Sequence, residues 1–448
     1  MREARAGRMP VRRHSLIIGA VAAFAAAPIL FATPAEARPP AVASSQGVED
    51  FLDSQRGRLL WLRSGESAAP QRLLALLATA DVDGLDPRKY KVKALAKALR
   101  RAADGDPDDV RRADAMLSQA FAAYARDLRD APPAGMKFLD PRLQPGVPSP
   151  RALLQMAASA PSLTRFIAEM GWMNPAYAPL REALASGRYA SPRERALLAI
   201  NLERARALPA TLPRYVIVNA AEQRLYLYEG GALVDSMNVV VGKQKPKDRT
   251  PMMASFLNEA ALNPYWNVPP DLAAERIAPK VIEKGMGYLT SNGYQLLSDW
   301  GDNPKVLDPA TVDWQAVADG RIQVRLRQLP GPGNSLGKVK FTFPNPYGIY
   351  LHDTPDKALL KEDTRLFSGG CIRLEDAARF GRWLYGKPLK AQSKAPDIIV
   401  PLERPVPVYV TYLTAVPRGS SIAFLEDVYG WDAERLAAGG ASERVVAR

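Results

Sequence analysis

The chain has 448 residues, 47% hydrophobic and 24% charged, a globular composition with room for two or three domains. Its formal charge is +13, and because the first 37 residues hold five arginines and two glutamates, about +10 remains beyond them. One cysteine, Cys371, excludes an internal disulfide. With His352 as the only histidine beyond residue 37, it cannot furnish the three N/S ligands of an ordinary metal site. No glycine-rich phosphate loop is present, and no cofactor is expected.

Residues 1–37 read as a signal peptide. Arg2, Arg5, Arg8, Arg12 and Arg13 form a basic start, an apolar run follows over about 16–32, and Ala35-Glu36-Ala37 is a small-x-small cleavage site. Cleavage after Ala37 and export to the periplasm follow. Arg12-Arg13 admits the twin-arginine route, but Ser15 fits it poorly, which favours the general route. A retained anchor is the alternative, and Pro28 interrupts the apolar run. Outside the cytoplasm, the basic surplus points to anionic wall polymers or membrane surfaces rather than nucleic acid.

Residues 38–47 read as a flexible lead and 48–208 as a helical scaffold domain. A helix is predicted from Asp108, after Pro107, with Val110, Leu117, Phe121, Tyr124 and Leu128 at helical spacing. Leu73, Leu74, Leu76 and Leu77 form another apolar cluster and 201–208 a third, while Pro132-Pro133, Pro141 and Pro145 break the run. Asp81-Val82-Asp83-Gly84 lacks the acidic spacing of a calcium loop and reads as a turn before Pro87.

The texture changes at Pro213. Strands are predicted over 215–218, 224–228 and 233–241, with a hairpin turn at Glu229-Gly230-Gly231. A β domain spans 213–400, interrupted over about 269–337 by helical pieces, Gly/Pro punctuation and a basic run at 321–327. That stretch reads as an insertion placed to act as a lid. Residues 401–448 add a strand over 406–413, another near 422–424 and a short helix at 432–438, completing the β domain. The fold class is α+β.

The chemistry lies in Tyr350-Leu351-His352-Asp353-Thr354-Pro355 and in Ser368-Gly369-Gly370-Cys371-Ile372-Arg373, whose Cys371 is 19 residues on from His352. In an oxidising compartment a lone thiol is a liability unless used; the alternative is an inert buried cysteine. Thiolate attack by Cys371 with His352 as base, and later as acid to a leaving amine, suits the pair. His352 sits at a strand end, and the Asp353 backbone carbonyl is the group expected to fix its tautomer. Gly370 and Cys371 N–H groups, with the Tyr350 hydroxyl, are expected to form the oxyanion hole. Ser368 and Gly369 border the substrate. Arg373 lowers the thiol pKa, clamps a substrate carboxylate, or pairs structurally with Glu375 or Asp376.

His-Asp-Thr-Pro followed by Ser-Gly-Gly-Cys-Ile-Arg resembles the L,D-transpeptidase family (YkuD-type catalytic domain), and further segments resemble its large scaffold-bearing periplasmic subgroup. These are 201–209, Val239-Val240-Val241-Gly242 with Thr250-Pro251, 263–269, 347–350 and 424–430. The resemblance implies a β-rich catalytic domain with a capping insertion, and acyl transfer from a peptidoglycan tetrapeptide stem. Cys371 attacks the L-centre of diaminopimelate, D-alanine leaves, and a second stem's amine takes the acyl group in a 3→3 cross-link. It also implies acylation by carbapenems and places Trp266 near the lid and donor groove. A protein lysine (an outer-membrane protein, for example), a D-amino acid or water are alternative acceptors, and an activating wall protein is a candidate partner. The small wall-binding module frequent in that subgroup is missing, and Gly369 replaces a histidine or serine. A Cys-His wall peptidase and a non-catalytic wall-binding scaffold are the rival readings.

Overall fold

The computed structural model describes residues 41–130, 134–210 and 212–439. The expected signal peptide, the Pro132-Pro133 break and the last nine residues lie outside them. Among the described residues no helix is long and apolar enough to cross a membrane.

Helices fill the first half. Ala41–Ser54 is helical, so the expected flexible lead over 38–47 is corrected from Ala41 onward. Tertiary packing overrides the loop-like composition there: Val48 and Phe51 are buried, and Gly47 closes against the Pro150 ring. The long helix Pro107–Arg129 starts because Asp106 accepts the Asp108 and Asp109 N–H groups at 2.9 and 3.0 Å, with Pro107 in the first turn. Its Leu117, Phe121, Tyr124 and Leu128 enter the helical core beside Trp61 and Trp172.

The turn at Asp83 is the polar centre of this half. Its buried carboxylate receives Arg181 Nε at 2.8 Å, Tyr124 Oη at 2.7 Å and Tyr177 Oη at 2.9 Å. Burial works against the Arg181 charge, but Asp83 and the tyrosines outweigh it and hold the guanidinium above its ordinary value.

The second half is built on a ten-stranded sheet. From one end its strands are Lys137–Phe138, Met253–Leu262, Val339–Thr342, Leu351–His352, Ile372–Leu374, Ala232–Gly242, Arg224–Glu229, Arg214–Asn219 and Ile398–Thr411, and Leu366–Ser368 pairs with Ala232–Gly242 off this path. Ile398–Thr411 also pairs antiparallel with Met253–Leu262, so the ring closes on itself and most of its edges disappear. Alternating Val216, Val218, Leu225, Leu227, Val239 and Val241 point into its core, which the helix Ala377–Tyr385 covers with Phe380 and Leu384.

The two halves share strands and polar ties. Lys137–Phe138, from within the helical half, lies parallel to Met253–Leu262. Asn201 exchanges two 2.8 Å hydrogen bonds with Thr414, and Arg204 donates to the Tyr412 carbonyl at 2.9 Å and pairs with Asp432 at 2.5 Å. The terminal segment does not simply complete the β domain. Ile398–Thr411 does so, but the hairpin Ala415–Arg418/Ser421–Phe424 puts Ala415 and Ile422 into the helical core.

The insertion differs from expectation. It starts at Trp266 and has its own four-stranded sheet: Trp266–Val268, Arg325–Gln328, Tyr294–Leu297 and Val306–Leu307. These strands are too short to show a period, and Arg325-Leu326-Arg327-Gln328, read as a basic run, is a strand that buries Leu326 and Gln328, exposes Arg325 and lays Arg327 over the Tyr265 ring.

Asp83→Ala leaves Arg181 buried without its counter-ion. It should cost about 3–5 kcal/mol, measured as a fall in the urea midpoint; an unchanged midpoint would show that the helical half does not rely on this pair.

Candidate active site

Leu351–His352 and Ile372–Leu374 run parallel, with Leu351 opposite Ile372 and His352 opposite Arg373. Leu351, Ile372 and Leu374 point into the core. Strand alternation therefore sends Tyr350, His352, Cys371 and Arg373 to the other face. The Tyr350 and His352 rings meet edge to face at 5.6 Å, as that requires.

His352 is buried, and its Nδ1 lies 2.5 Å from the Asp353 carbonyl oxygen. That contact makes Nδ1 the protonated nitrogen and leaves the Nε2 lone pair as the basic site. Burial, with Arg373 adding repulsion, pushes the imidazole pKa down to about 3, so the ring is neutral at physiological pH. The Asp353 carboxylate points elsewhere, to Lys357 Nζ at 2.8 Å and the Lys338 N–H at 3.0 Å.

Burial also pushes the Cys371 thiol up, while the Tyr350 N–H and hydroxyl, Arg373 and Lys340 pull it back. This face therefore carries a thiol and a neutral imidazole at rest. The sulfur lies 3.7 Å from the Gly348 carbonyl. Lys340, opposite His352 across the antiparallel pairing, holds its ammonium 5.4 Å from the Tyr350 ring centre. No sequence pattern singled it out.

The loop roles divide. Of the expected oxyanion donors, the Cys371 N–H has no hydrogen-bond partner among the described residues, and the Tyr350 hydroxyl faces the sulfur. The Gly370 N–H is not available, because it donates to Ser368 Oγ at 3.0 Å. Ser368 is itself buried and organises this turn, so it is corrected from substrate contact to turn support. Gly369 is exposed and faces Leu272 of the insertion. Trp266 lies in the insertion, and its ring packs into the insertion's own core with Val268, Ile277 and Leu326. Arg373 has no ion pair with Glu375 or Asp376; Glu375 instead accepts the Asn238 N–H, and Asp376 caps the following helix. The Arg373 Nε is buried without a partner.

The insertion does reach the site. Tyr350 packs against its core, and Arg276 Nη2 donates to the Phe367 carbonyl at 3.4 Å. Among the described residues no cluster of three or more His, Cys, Asp or Glu side chains could hold a metal ion.

Residues 213–408 match the L,D-transpeptidase catalytic domain (YkuD), and residues 46–184 match a Scaffold domain. The chain carries an L,D-transpeptidase catalytic domain. A Haemophilus influenzae protein named "Putative L,D-transpeptidase" is 32% identical over 242 residues, 52% of this chain and 48% of that protein. The chain thus matches about half the length of this curated relative. Among solved structures, the Ldtfm-avibactam carbamoyl enzyme is 13% identical over 46% of this chain and 51% of that one, and Bdellovibrio bacteriovorus Bd1075 is 14% identical over 51% and 56%. Both align at a TM-score of 0.20 and add nothing to the site geometry.

In the transpeptidase domain, distant segments hold the cysteine turn. Buried Thr250 donates from Oγ1 to the Gly370 carbonyl at 2.8 Å and accepts the Gly242 N–H at 2.9 Å. Tyr429 Oη donates to the Gly242 carbonyl at 2.8 Å. Gly242 admits no side chain, since a Cβ there would sit 1.9 Å from the Asp248 carbonyl oxygen. Asp248 is buried too, with its Oδ2 unpartnered.

Thr250→Val removes both hydrogen bonds at nearly constant volume and should slow acylation of Cys371 by about ten- to a hundredfold, corresponding to about 1–3 kcal/mol. Thr250→Ser should restore most of the rate, whereas equal losses in both variants would assign the effect to packing. Alkylation of Cys371 by iodoacetamide should keep accelerating above pH 9, because burial raises the thiol, and should show no inflection near 6.5, because His352 stays neutral down to about 3. A rate plateau by pH 7 would instead reveal a thiolate–imidazolium pair.

Proposed function

We propose that this chain is an exported L,D-transpeptidase of the peptidoglycan. The supporting observation is the parallel register that sets Cys371, His352 and Tyr350 on one face beneath the insertion, within a domain matching the transpeptidase family.

In this reading Cys371 Sγ attacks the carbonyl of the diaminopimelate L-centre while its proton passes to His352 Nε2. The Asp353 carbonyl keeps the ring in the tautomer that can take it. The Cys371 N–H and the Tyr350 hydroxyl stabilise the developing oxyanion. The carbonyl–nitrogen bond breaks, His352 returns the proton to the leaving amine, and D-alanine departs from the acyl-enzyme. An acceptor amine then forms the new amide and frees the thiol. A second stem's side-chain amine gives the 3→3 cross-link. The basic leader with its small-x-small site supports a periplasmic location, and the cationic surplus of the remaining chain suits an anionic wall.

The test uses intact mass and muropeptide analysis. Mature protein should gain the mass of a carbapenem, and Cys371→Ala should not; a persisting mass shift would overturn the nucleophile. With tetrapeptide muropeptides the protein should release D-alanine and form 3→3 dimers. Tripeptide monomers alone would point to water, a D-amino acid or a protein lysine as acceptor, and no turnover would favour a wall-binding scaffold. His352→Ala should lower the acylation rate by about 10²–10⁴.

A further inference from the structure

Two guanidinium groups lie near the cysteine loop, one from the insertion and one from the catalytic strand, and no carboxylate pairs with either among the described residues. Arg276 belongs to the insertion, in a π-helical turn over Ala273–Ile277, a local geometry frequent at functional sites. It reaches the cysteine loop and donates to the Phe367 carbonyl at 3.4 Å. Arg373 stands two residues beyond Cys371 on the same face, opposite His352 in register. Among the described residues neither makes an ion pair within 4.0 Å, and the Arg373 Nε is buried without any hydrogen bond. The acids nearby are committed or apart. Glu275 and Asp271 both bind Lys247, Asp353 binds Lys357, and Asp356 faces Arg373 without pairing. Asp248 lies toward Lys243, again without a pair. Lys243 and Lys340 add further positive charge. Arg276 makes both Arg373 and Lys243 harder to protonate, after the larger effect of burial. Such a like-charge cluster is relieved by an anion.

The side of the site on which that anion sits follows from the chemistry. His352 returns its proton to the amine that leaves, so the leaving residue lies over His352, and Arg373 is its partner across the strands. The carboxylate of a single leaving residue falls next to that position. We propose that Arg276 and Arg373 together bind the free carboxylate of the residue that leaves, so that the substrate itself ties the insertion to the catalytic strand. The inference rests on the acyl-transfer reading above and adds to it the residues that would read the donor's free acid. A donor with one free-acid residue beyond the attacked bond engages both arginines; a donor amidated there, or longer by a residue, does not. Arg276 is then a specificity residue that acts through substrate charge, and closure of the insertion is coupled to that charge.

Alkylation of Cys371 by iodoacetate and by iodoacetamide, each rate normalised to free cysteine, reads the anion site without any turnover. The wild-type protein should favour iodoacetate. Arg276→Gln should lower the iodoacetate-to-iodoacetamide ratio about tenfold, and Arg276→Lys should keep part of it. No preference in the wild type, or an unchanged ratio in Arg276→Gln, would overturn the anion site. The second arm compares D-alanine release from a tetrapeptide donor with alaninamide release from its C-terminal amide. Arg276→Gln should raise KM about tenfold for the acid and leave that for the amide unchanged. Equal rises for both would overturn the assignment to the leaving residue. If the wild type releases nothing from either donor, the transpeptidase reading fails, and the alkylation ratio still upholds or overturns the paired-arginine anion site.

Discussion

The parallel pairing of Leu351–His352 with Ile372–Leu374 is the constraint on which the site depends. A shift of one residue in either strand would turn its polar face into the core and expose Leu351 or Ile372. The core therefore fixes the register, and the register fixes the chemistry. Burial of Phe341, Leu351, Ile372 and Leu374 stabilises the domain and, in doing so, holds a thiol and an imidazole on the same surface. Stability and site geometry are not separable here.

Around that pairing lies a shell of restraints from remote parts of the chain. Thr250 and Tyr429 hold the cysteine turn through Gly242 and Gly370, and the Asp353 carboxylate anchors Lys338, where the chain returns from the insertion to the sheet. The insertion contributes Arg276 and packs on Tyr350. Enclosure has an electrostatic consequence as well. It disfavours the charged forms of both the thiol and the imidazole.

The residues that the structure gathers on one face were legible because the sequence offers so few alternatives: one cysteine, one histidine past residue 37, and glycines beside the thiol. The strands over 214–242 were legible from alternation, and the role of the Asp353 carbonyl from the rule that adjacent side chains on a strand diverge. What sequence could not supply was direction. Ser368 and Trp266 lie in the right segments, but one hydroxyl turns back to the Gly370 N–H and one indole turns into the insertion's core. Lys340 and Arg276 escaped notice because their place at the site comes from non-local packing that leaves no local pattern. The insertion's sheet was hidden by strands of two to four residues, too short to show a period.

The ring-closing strand Ile398–Thr411 has a consequence in time. It pairs with Met253–Leu262 and Arg214–Asn219, laid down well over a hundred residues earlier, and the segment after it carries Thr414, Tyr429 and Asp432. A chain that has emerged only as far as Cys371 already contains His352 and Cys371, yet has neither the strand that shuts the barrel nor the tyrosine that steadies the cysteine turn. Contacts of such long sequence separation form late in folding. The turn that carries Cys371 therefore gains its full set of restraints only after the segment through Tyr429 has been made.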